Sequence, residues 1–361
     1  MPGRRPLERI ACTLRLEQGL RERLVAASAP AQVLWPGQDS SAREEALLSC
    51  EAAFLDRDLE DAAVESERLA WAHVDHAGLD GSARPEVFER GLIVTGSAGR
   101  NAEALAEHAM LFMLGLAFDV YGVHRSQRRR KWGLKESDRL RPLHGQTVLV
   151  VGLGHTGRAL AVRAKAFNMR VLAFRRKDLP APPGVDFVAS LARGDKLDEL
   201  IPEADWVVLA ASLNDNSHAM IGTTQLRAMK RTSFMINVSR GALVDEGALA
   251  SALVRGQIAG AGLDSFQKEP LDPNSSFWET PRTIVTPRFT PSDGKELERA
   301  VDMIIENLRR YRAGEPLLNA LEPEDAYTHL LKRRRTRRKR LNEEGPVASR
   351  FKAIGRFFGR S

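Results

Sequence analysis

Three glycines stand in a spacing that is typical of a phosphate-binding turn. The stretch VLVVGLGHTGRALA places Gly152, Gly154 and Gly157 after an apolar, β-branched run and before a helix-like segment. In such a turn the first glycine allows a tight bend, the second admits a pyrophosphate close to the backbone, and the third lets the helix pack on the strand. The helix would begin at His155 and Thr156, where free amides and partial positive charge favour a phosphate. We therefore predict a dinucleotide site at these five residues.

Basic residues end the next predicted strand, where a carboxylate that accepts from the ribose of NAD usually stands. The run MRVLAF is followed by Arg175, Arg176 and Lys177, and Asp178 comes too late to take that position. Charge-assisted hydrogen bonds from arginine contribute about 1.5–3 kcal/mol each, and we expect no acid to stand in the way of a 2′-phosphate. We predict that NADP(H) is preferred over NAD(H); the alternative is a solvated basic turn.

Two series of short apolar runs, separated by helix-like segments, predict an α/β protein with two sheets. The first series extends from IACTLRL to GLIVTGSAG and predicts a small parallel sheet. The second extends from QTVLVVGLG to RTIVTP and predicts a doubly wound parallel sheet of about six strands, of Rossmann type, with a ligand at its first turn.

Length and composition limit the class of protein. The chain has 361 residues, 43% of them hydrophobic, which is enough for two domains with separate cores. Two cysteines, Cys12 and Cys50, cannot form a disulfide framework, and the first residues lack the apolar region of a secretory signal. We therefore expect a cytoplasmic protein. The longest apolar run, 109–118, is shorter than the roughly 20 residues that span a bilayer and predicts a buried helix or a subunit contact.

Positive charge is concentrated at the C-terminal end. Residues 332–361 contain twelve Lys and Arg against two Glu, a net +10, which leaves −3 for the rest of a chain whose total is +7. An acidic body gives no reason to expect nucleic acid in the main cleft. The run KRRRTRRKR (332–340) precedes a segment with apolar and basic residues on opposite helical faces, which predicts a tail that binds anionic membrane lipid or nucleic acid. The alternative is a solvated, disordered extension.

Several motifs, in the same order along the chain, resemble the D-isomer-specific 2-hydroxyacid dehydrogenase family. They are ALAEHAMLFML (104–114), VLVVGLGHTG, INVSRGALVDEGAL (236–249), AGAGLDSFQKEPL (259–271) and IVTP (284–287). The resemblance implies an enzyme that transfers hydride between a nicotinamide and a small 2-oxo or 2-hydroxy acid of the glyoxylate or hydroxypyruvate type. The apolar helix after Glu107 resembles the dimer-forming helix of the family, which implies a homodimer.

The resemblance also implies a division of the chain. A flavodoxin-like α/β substrate domain would comprise residues 1–98 and 290–324, and the Rossmann-type dinucleotide domain would comprise 99–289. Residues 325–361 would form the basic, disordered tail. We predict no metal site.

Family roles are placed on the matching residues. Arg240 corresponds to the arginine that binds the substrate carboxylate and polarises its carbonyl, and a planar, fixed charge suits that role. Ala77 and Gly78 match the loop whose backbone N–H groups hold the same carboxylate.

Further residues match positions at the coenzyme. Asp264 corresponds to a residue near the nicotinamide amide, as do the backbone groups from Asn237 to Ser239.

The chain departs from the family pattern at Arg288. Family members have TPH where this chain has TPR, and that histidine moves the proton, with the carboxylate at the position of Glu269 raising its pKa. An arginine has a pKa above about 12, so using it as a base at neutral pH would cost about 7 kcal/mol.

Three explanations of Arg288 remain open. Arg288 pairs with Glu269 as an electrostatic stabiliser while water or another group moves the proton. A displaced histidine substitutes, with His76 as the best candidate because it adjoins the carboxylate loop. Alternatively, activity is lost or weak, and the chain is an NADP(H)-binding sensor or scaffold with an anion-binding tail.

Overall fold

Two parallel sheets organise the chain, in a computed structural model that describes residues 4–134 and 137–329. The strands of the first sheet are β1 (Arg9–Cys12), β2 (Gln32–Leu34), β3 (Ala52–Leu55), β4 (Trp71–Val74) and β5 (Ile93–Gly96). The strands of the second sheet are β6 (Thr147–Val151), β7 (Arg170–Arg175), β8 (Phe187–Ser190), β9 (Trp206–Leu209), β10 (Phe234–Asn237), β11 (Gly260–Leu263) and β12 (Thr283–Val285). The predicted α/β fold with two sheets is confirmed.

Helices form most of the connections between successive strands of each sheet, as is usual for parallel pairing, whereas β7–β8 and β11–β12 are joined without an α-helix. Those of the first half are α1 (Gln18–Ser28), α2 (Ser40–Ser49), α3 (Asp61–Glu65), α4 (Pro85–Glu89), α5 (Ala102–Ala117) and α6 (Val120–Arg128). Those of the second half are α7 (His155–Ala166), α8 (Leu197–Leu200), α9 (Thr223–Ala228), α10 (Glu246–Val254) and α11 (Glu296–Ala313).

The first sheet has the order β2-β1-β3-β4-β5, which is the flavodoxin-like order. The last helix, α11, returns to this sheet, because its apolar stripe packs with the side chains of β1 and β4. Ile304 and Leu308 share a core with Ile10 and Trp71, and the Trp71 ring stacks on Tyr311 with centroids 5.6 Å apart. The end of the chain is thus brought back to the N-terminal unit.

The second sheet has the order β12-β11-β10-β9-β6-β7-β8, a doubly wound arrangement with its switch point between β6 and β9. It has seven strands, whereas the sequence predicted about six. The missed strand is β8, which pairs with β7 at the edge of the sheet. It has four residues, and its first side chain, Phe187, is half exposed, so that it lacks the continuous apolar run of a central strand.

The long apolar helix α5 is mostly buried against the second unit. Phe112 and Met113 are fully buried in the core that includes β6 and α7, while Leu111 faces outward with 61% of its surface exposed. No single helix in the described ranges is long and apolar enough to cross a membrane; α5 and α6 meet that test jointly, by length and composition alone, as a pair bent by 59°.

The contact between α5 and β11 yields a prediction about stability. A Cβ on Gly262 would lie 2.5 Å from Cγ and 2.7 Å from Cβ of Phe112, and both residues are buried. The Phe112 Cβ cannot move without its helix, so we expect Gly262→Ala to destabilise the fold by about 1–3 kcal/mol in urea denaturation. The control is Gly19→Ala, because no atom lies within 4 Å of that position in α1. Equal unfolding midpoints for Gly262→Ala and the wild type would contradict this packing.

Candidate active site

The glycine turn after β6 has the shape that a dinucleotide phosphate requires. Gly152 has a φ of +98°, and a Cβ there would lie 2.5 Å from the backbone of Ala211. A Cβ on Gly157 would collide with the carbonyl oxygen of Gly152. Gly154 differs, because no atom lies within 4 Å of its Cβ position, just where α7 begins. The open space above Gly154 and the first amides of α7 therefore fit a pyrophosphate.

The first side chain of α7 lies at the junction of the two units. His155 is exposed, and its Nε2 is 3.4 Å from Oδ1 of Asn319. The Asn319 amide donates to the carbonyls of Gly96 (3.2 Å) and Ala98 (2.9 Å), where the chain leaves the first sheet. Thr156 follows His155 and is partly buried. Through Asn319, the start of α7 at the glycine turn is thus in contact with the segment where the chain leaves the first sheet.

The basic residues that end β7 have acidic partners from a distant part of the chain. Arg176 donates to Asp325 (2.6 Å) and Glu322 (3.1 Å), and Lys177 donates to Glu322 (2.5 Å). Arg175 reaches the carbonyl of Pro180 at 3.4 Å, and its Nε is buried without a hydrogen-bond partner among the described residues. The expectation that no acid opposes a phosphate here is wrong, because the acids come from about 150 residues further along the chain.

Arg240 lies where a loop of the first sheet meets a loop of the second. Its Nε donates to Asp80 (2.8 Å), and its Nη2 donates to the carbonyl of Gly78 (3.2 Å). A side chain on Gly78 would occupy the space of the guanidinium, and the neighbouring Ala77 is exposed. The three residues that the sequence assigns to the substrate are thus brought together, and Asp80 joins them.

The loop that carries Arg240 is held by its own hydrogen bonds. Asn237 is buried, and its side chain donates to the carbonyl of Arg240 (3.0 Å) and accepts from the amide of Ser239 (3.1 Å). The next residue, Gly241, lies so close to the backbone of Phe266 that a Cβ would overlap it. Asn237 and Ser239 therefore shape the turn that presents the guanidinium.

Arg288 and Glu269 form an ion pair at the end of β12. Nη1 of Arg288 is 3.0 Å from Oε1 and 2.8 Å from Oε2 of Glu269, which also accepts from the amide of Phe266 at 3.0 Å. Arg288 has a φ of +52° and a side chain that is 49% exposed. Because exposed ion pairs contribute about 0–1 kcal/mol, this pair orients charge more than it stabilises the fold.

Asp264 is buried against the backbone that leads to Arg288. It accepts from the Thr286 hydroxyl (2.6 Å) and from the Phe289 amide (2.8 Å), and the His108 ring lies 3.3 Å from the Thr286 hydroxyl and 3.9 Å from Asp264 itself. Burial raises the pKa of Asp264 and lowers the pKa of His108, so burial disfavours the charged form of each. Asp264 therefore fixes the segment that carries Arg288.

A buried histidine network lies beneath the loop of Ala77 and Gly78. The His73 ring is fully buried between the hydroxyls of Thr95 and Ser97, each 3.0 Å away. Ser97 donates to Asp75 (2.9 Å), which pairs with Arg100. Burial lowers the pKa of His73 to about 3. This network could not be predicted from the sequence, because its members belong to two strands and nothing in either run marks their pairing.

His76, the proposed replacement for the catalytic histidine, has a different environment. Its carbonyl accepts from the amide of Ser97 (2.9 Å), and its side chain is exposed. Within the described residues its ring has no hydrogen-bond partner. The structure therefore gives this explanation no geometric support.

Three acidic residues at the site were not predicted from the sequence. Asp80 had a signal, because it is an acid two positions after Gly78 in the same loop. Glu322 and Asp325 had none, since their position beside β7 depends on the path of the whole C-terminal segment.

His73 predicts a pH dependence of stability. Below its ordinary value of 6.5 the unfolded chain binds a proton that the folded protein does not bind until about pH 3. Stability is therefore present above pH 6.5 and is lost as the pH falls, by about 2–3 kcal/mol between pH 6.5 and 4.5. We expect His73→Gln to unfold with a correspondingly flatter pH dependence in urea titrations; the buried His108 contributes equally to both proteins. If the free energy of unfolding depended on pH equally in the variant and the wild type, His73 would be protonated in the folded state.

Comparisons with known proteins identify the family of this chain. Residues 110–289 match the model of the NAD-binding domain of D-isomer specific 2-hydroxyacid dehydrogenases. The chain is 33% identical over 277 residues to a glyoxylate reductase of Korarchaeum cryptofilum, covering 75% of this chain and 80% of the relative. It is 32% identical over 248 residues to a glyoxylate reductase of Pyrococcus horikoshii, covering 66% and 72%.

A solved structure gives the same result. A D-isomer specific 2-hydroxyacid dehydrogenase from Xanthobacter autotrophicus, in complex with NADPH and MES, superposes with a TM-score of 0.73 at 26% identity and covers 88% of this chain and 99% of that chain. The relatives agree with the sequence motifs, and this chain belongs to the D-isomer-specific 2-hydroxyacid dehydrogenase family.

Proposed function

We propose that this chain is an NADPH-dependent reductase of a small 2-oxo acid of the glyoxylate or hydroxypyruvate class, with an altered proton-transfer group. As a member of its family it is an NAD(P)-dependent 2-hydroxyacid oxidoreductase. The observation that carries the proposal is the position of Arg240, whose guanidinium contacts Gly78 and Asp80 of the opposite sheet. The glyoxylate reductases among its relatives support the substrate class.

Arg240 and the loop of Gly78 provide the binding groups for the acid. The guanidinium is planar and permanently charged, so it binds a carboxylate with two parallel hydrogen bonds. When bound, the reduced nicotinamide is the source of hydride for the carbonyl carbon. The charge of Arg240 favours the negative oxygen that develops on the substrate, because that charge is already in place. Asp80 holds the guanidinium in position between the two sheets.

Arg288 supplies a second fixed charge but no transferable proton. Its guanidinium is always protonated at neutral pH, so it stabilises a negative oxygen without acting as an acid. We propose that solvent water supplies the proton, since half of the Arg288 side chain is exposed. Glu269 then serves to orient Arg288.

Coenzyme choice follows from the basic end of β7. Arg175, Arg176 and Lys177 offer donors that suit a 2′-phosphate, and no carboxylate ends the strand. NADPH in the related Xanthobacter structure supports this preference.

Three further expectations belong to the proposal. We propose a cytoplasmic homodimer that associates through α5 and its neighbouring residues, where Leu111, Phe118 and Tyr121 are exposed.

We also propose that the basic tail binds an anionic surface. Residues 330–361 lie outside the described residues, whereas Asp325–His329, which the sequence assigned to the disordered tail, are packed, with Tyr327 buried.

The proposal is tested first at Arg240. With NADPH and glyoxylate or hydroxypyruvate, we expect Arg240→Ala to lower kcat/KM roughly a hundredfold or more, because it removes a charge aimed at the reacting oxygen. The Kd for NADPH should not change. The matched control is Arg255→Ala, since Arg255 is exposed at the end of α10 in the same domain. Wild-type turnover in Arg240→Ala would reject the assignment.

Arg288→His tests the altered proton transfer. An imidazole beside Glu269 provides a proton donor, so we expect kcat to rise roughly tenfold or more and to depend on pH near neutrality. In the double variant Arg288→His with Glu269→Gln the gain should largely disappear. No gain in Arg288→His would mean that the arginine is not the limiting feature.

The same assay distinguishes the proposed reductase from the alternative function, a nucleotide-binding sensor or scaffold. The ion pair that engages Glu269 with Arg288 favours this second candidate. A wild-type protein that binds NADPH without oxidising it across a panel of 2-oxo acids, and whose Arg288→His variant turns over, would support the sensor.

A further inference from the structure

A segment after α11 crosses from the first sheet to the second, and we name residues 320–329 the C-terminal strap. It starts on the first sheet, where the amide of Leu321 donates to the carbonyl of Val94 (2.8 Å). Near its end the amide of Tyr327 donates to Ala83 (2.8 Å), and the ring of Tyr327 is buried in the core of the second unit. Asp215 in turn donates its amide to the carbonyl of Ala326 at 3.0 Å.

Between these anchors the strap presents two carboxylates to the end of β7. They belong to a short helical turn in which the amide of Glu322 donates to Asp325 (2.9 Å). One oxygen of Asp325 and one of Glu322 accept from separate nitrogens of Arg176, and the other oxygen of Glu322 accepts from Lys177. Asp325 is 19% exposed in its side chain and Glu322 is 41% exposed, so the contact remains open to solvent.

The arrangement resembles the one that a phosphate would make. A phosphate, like a pair of carboxylates, accepts several charge-assisted hydrogen bonds from a guanidinium and an ammonium group. Arg175, Arg176 and Lys177 carry three positive charges, and the strap already neutralises two. A 2′-phosphate that uses Arg176 must therefore exchange one set of anionic acceptors for another. A coenzyme with a 2′-hydroxyl does not require that exchange.

We propose that Glu322 and Asp325 are coenzyme-selectivity residues that compete with the 2′-phosphate of NADPH for Arg176 and Lys177. This inference rests on the proposed function, because it requires a nicotinamide dinucleotide at the glycine turn. The carboxylates reduce the preference for NADPH over NADH that the end of β7 would otherwise give. They act on binding and not on the reacting atoms.

The strap has anchors other than these carboxylates. Its backbone bonds to Val94, Ala83 and Asp215 and the buried ring of Tyr327 involve neither acid. Amide replacements of similar size, Glu322→Gln and Asp325→Asn, therefore remove charge while the anchors remain. Glu324 lies in the same turn, is exposed, and has no ion-pair partner among the described residues, so Glu324→Gln is the matched control.

The experiment measures the Kd of the full-length protein for NADPH and for NADH by calorimetry. In the double variant Glu322→Gln with Asp325→Asn we expect the Kd for NADPH to fall roughly tenfold, as loss of two competing exposed pairs allows. The Kd for NADH should stay within about twofold, and Glu324→Gln should leave both unchanged. Each single variant should give a smaller change in the same direction, which tests the inference if the double variant fails to fold.

A second arm isolates the phosphate. Adenosine 2′,5′-bisphosphate should gain affinity in the double variant, and adenosine 5′-monophosphate should not. Adding Arg176→Ala to the double variant should abolish the gain.

The outcomes distinguish this inference from the proposed function. If no variant binds either coenzyme, the proposed function fails and this inference fails with it. If NADPH binds and the neutralised strap leaves its Kd unchanged, or weakens it because the acids orient Arg176 for the phosphate, the selectivity role is overturned while the proposed function stands.

Discussion

The guanidinium of Arg240 lies between loops that belong to different sheets, and the candidate site depends on that contact. Its hydrogen bonds to Asp80 and Gly78 join a residue that follows β10 to a loop that follows β4. The side chains of Arg240 and Asp80 are both about one-fifth exposed, so the pair is partly shielded from water but still reachable by a ligand. A substrate carboxylate would meet a charge that is already oriented, which lowers the entropy lost on binding.

Fixed charges and titratable groups occupy different places in this site. The side chains of Arg240 and Arg288 are partly exposed, and an arginine keeps its charge at any physiological pH. The buried groups nearby, His73 and Asp264, are displaced towards their neutral forms by burial. Asp264 holds the backbone that follows Arg288, and His73 holds the hydroxyls of Thr95 and Ser97 at the end of β5. Under the proposed function, the two arginines therefore contribute electrostatic stabilisation, and the proton comes from solvent water.

The sequence predicted those parts of the fold that depend on local pattern. Five strands of the first sheet and six of the second are continuous apolar runs, and the turn at Gly152 follows directly from its spacing. The missed strand, β8, lies at the edge of the sheet. Its pairing with β7 stabilises it, because its own four residues do not form a continuous apolar run. Arg240 and Arg288 were found through motifs, whereas Asp80 and the His73 network required the geometry of the loops.

The partners of Arg176 show why the other residues of the site could not be predicted from local sequence pattern. The sequence around β7 is basic, and by itself it indicates an open phosphate site. Glu322 and Asp325 reach it because α11 packs on the first sheet and directs the following residues back across the second, a path set by Ile304, Leu308 and their partners in a distant core. Packing in one unit thus determines the charge balance at a ligand site of the other. A binding preference read from a strand end holds only when no other segment of the chain completes the same surface.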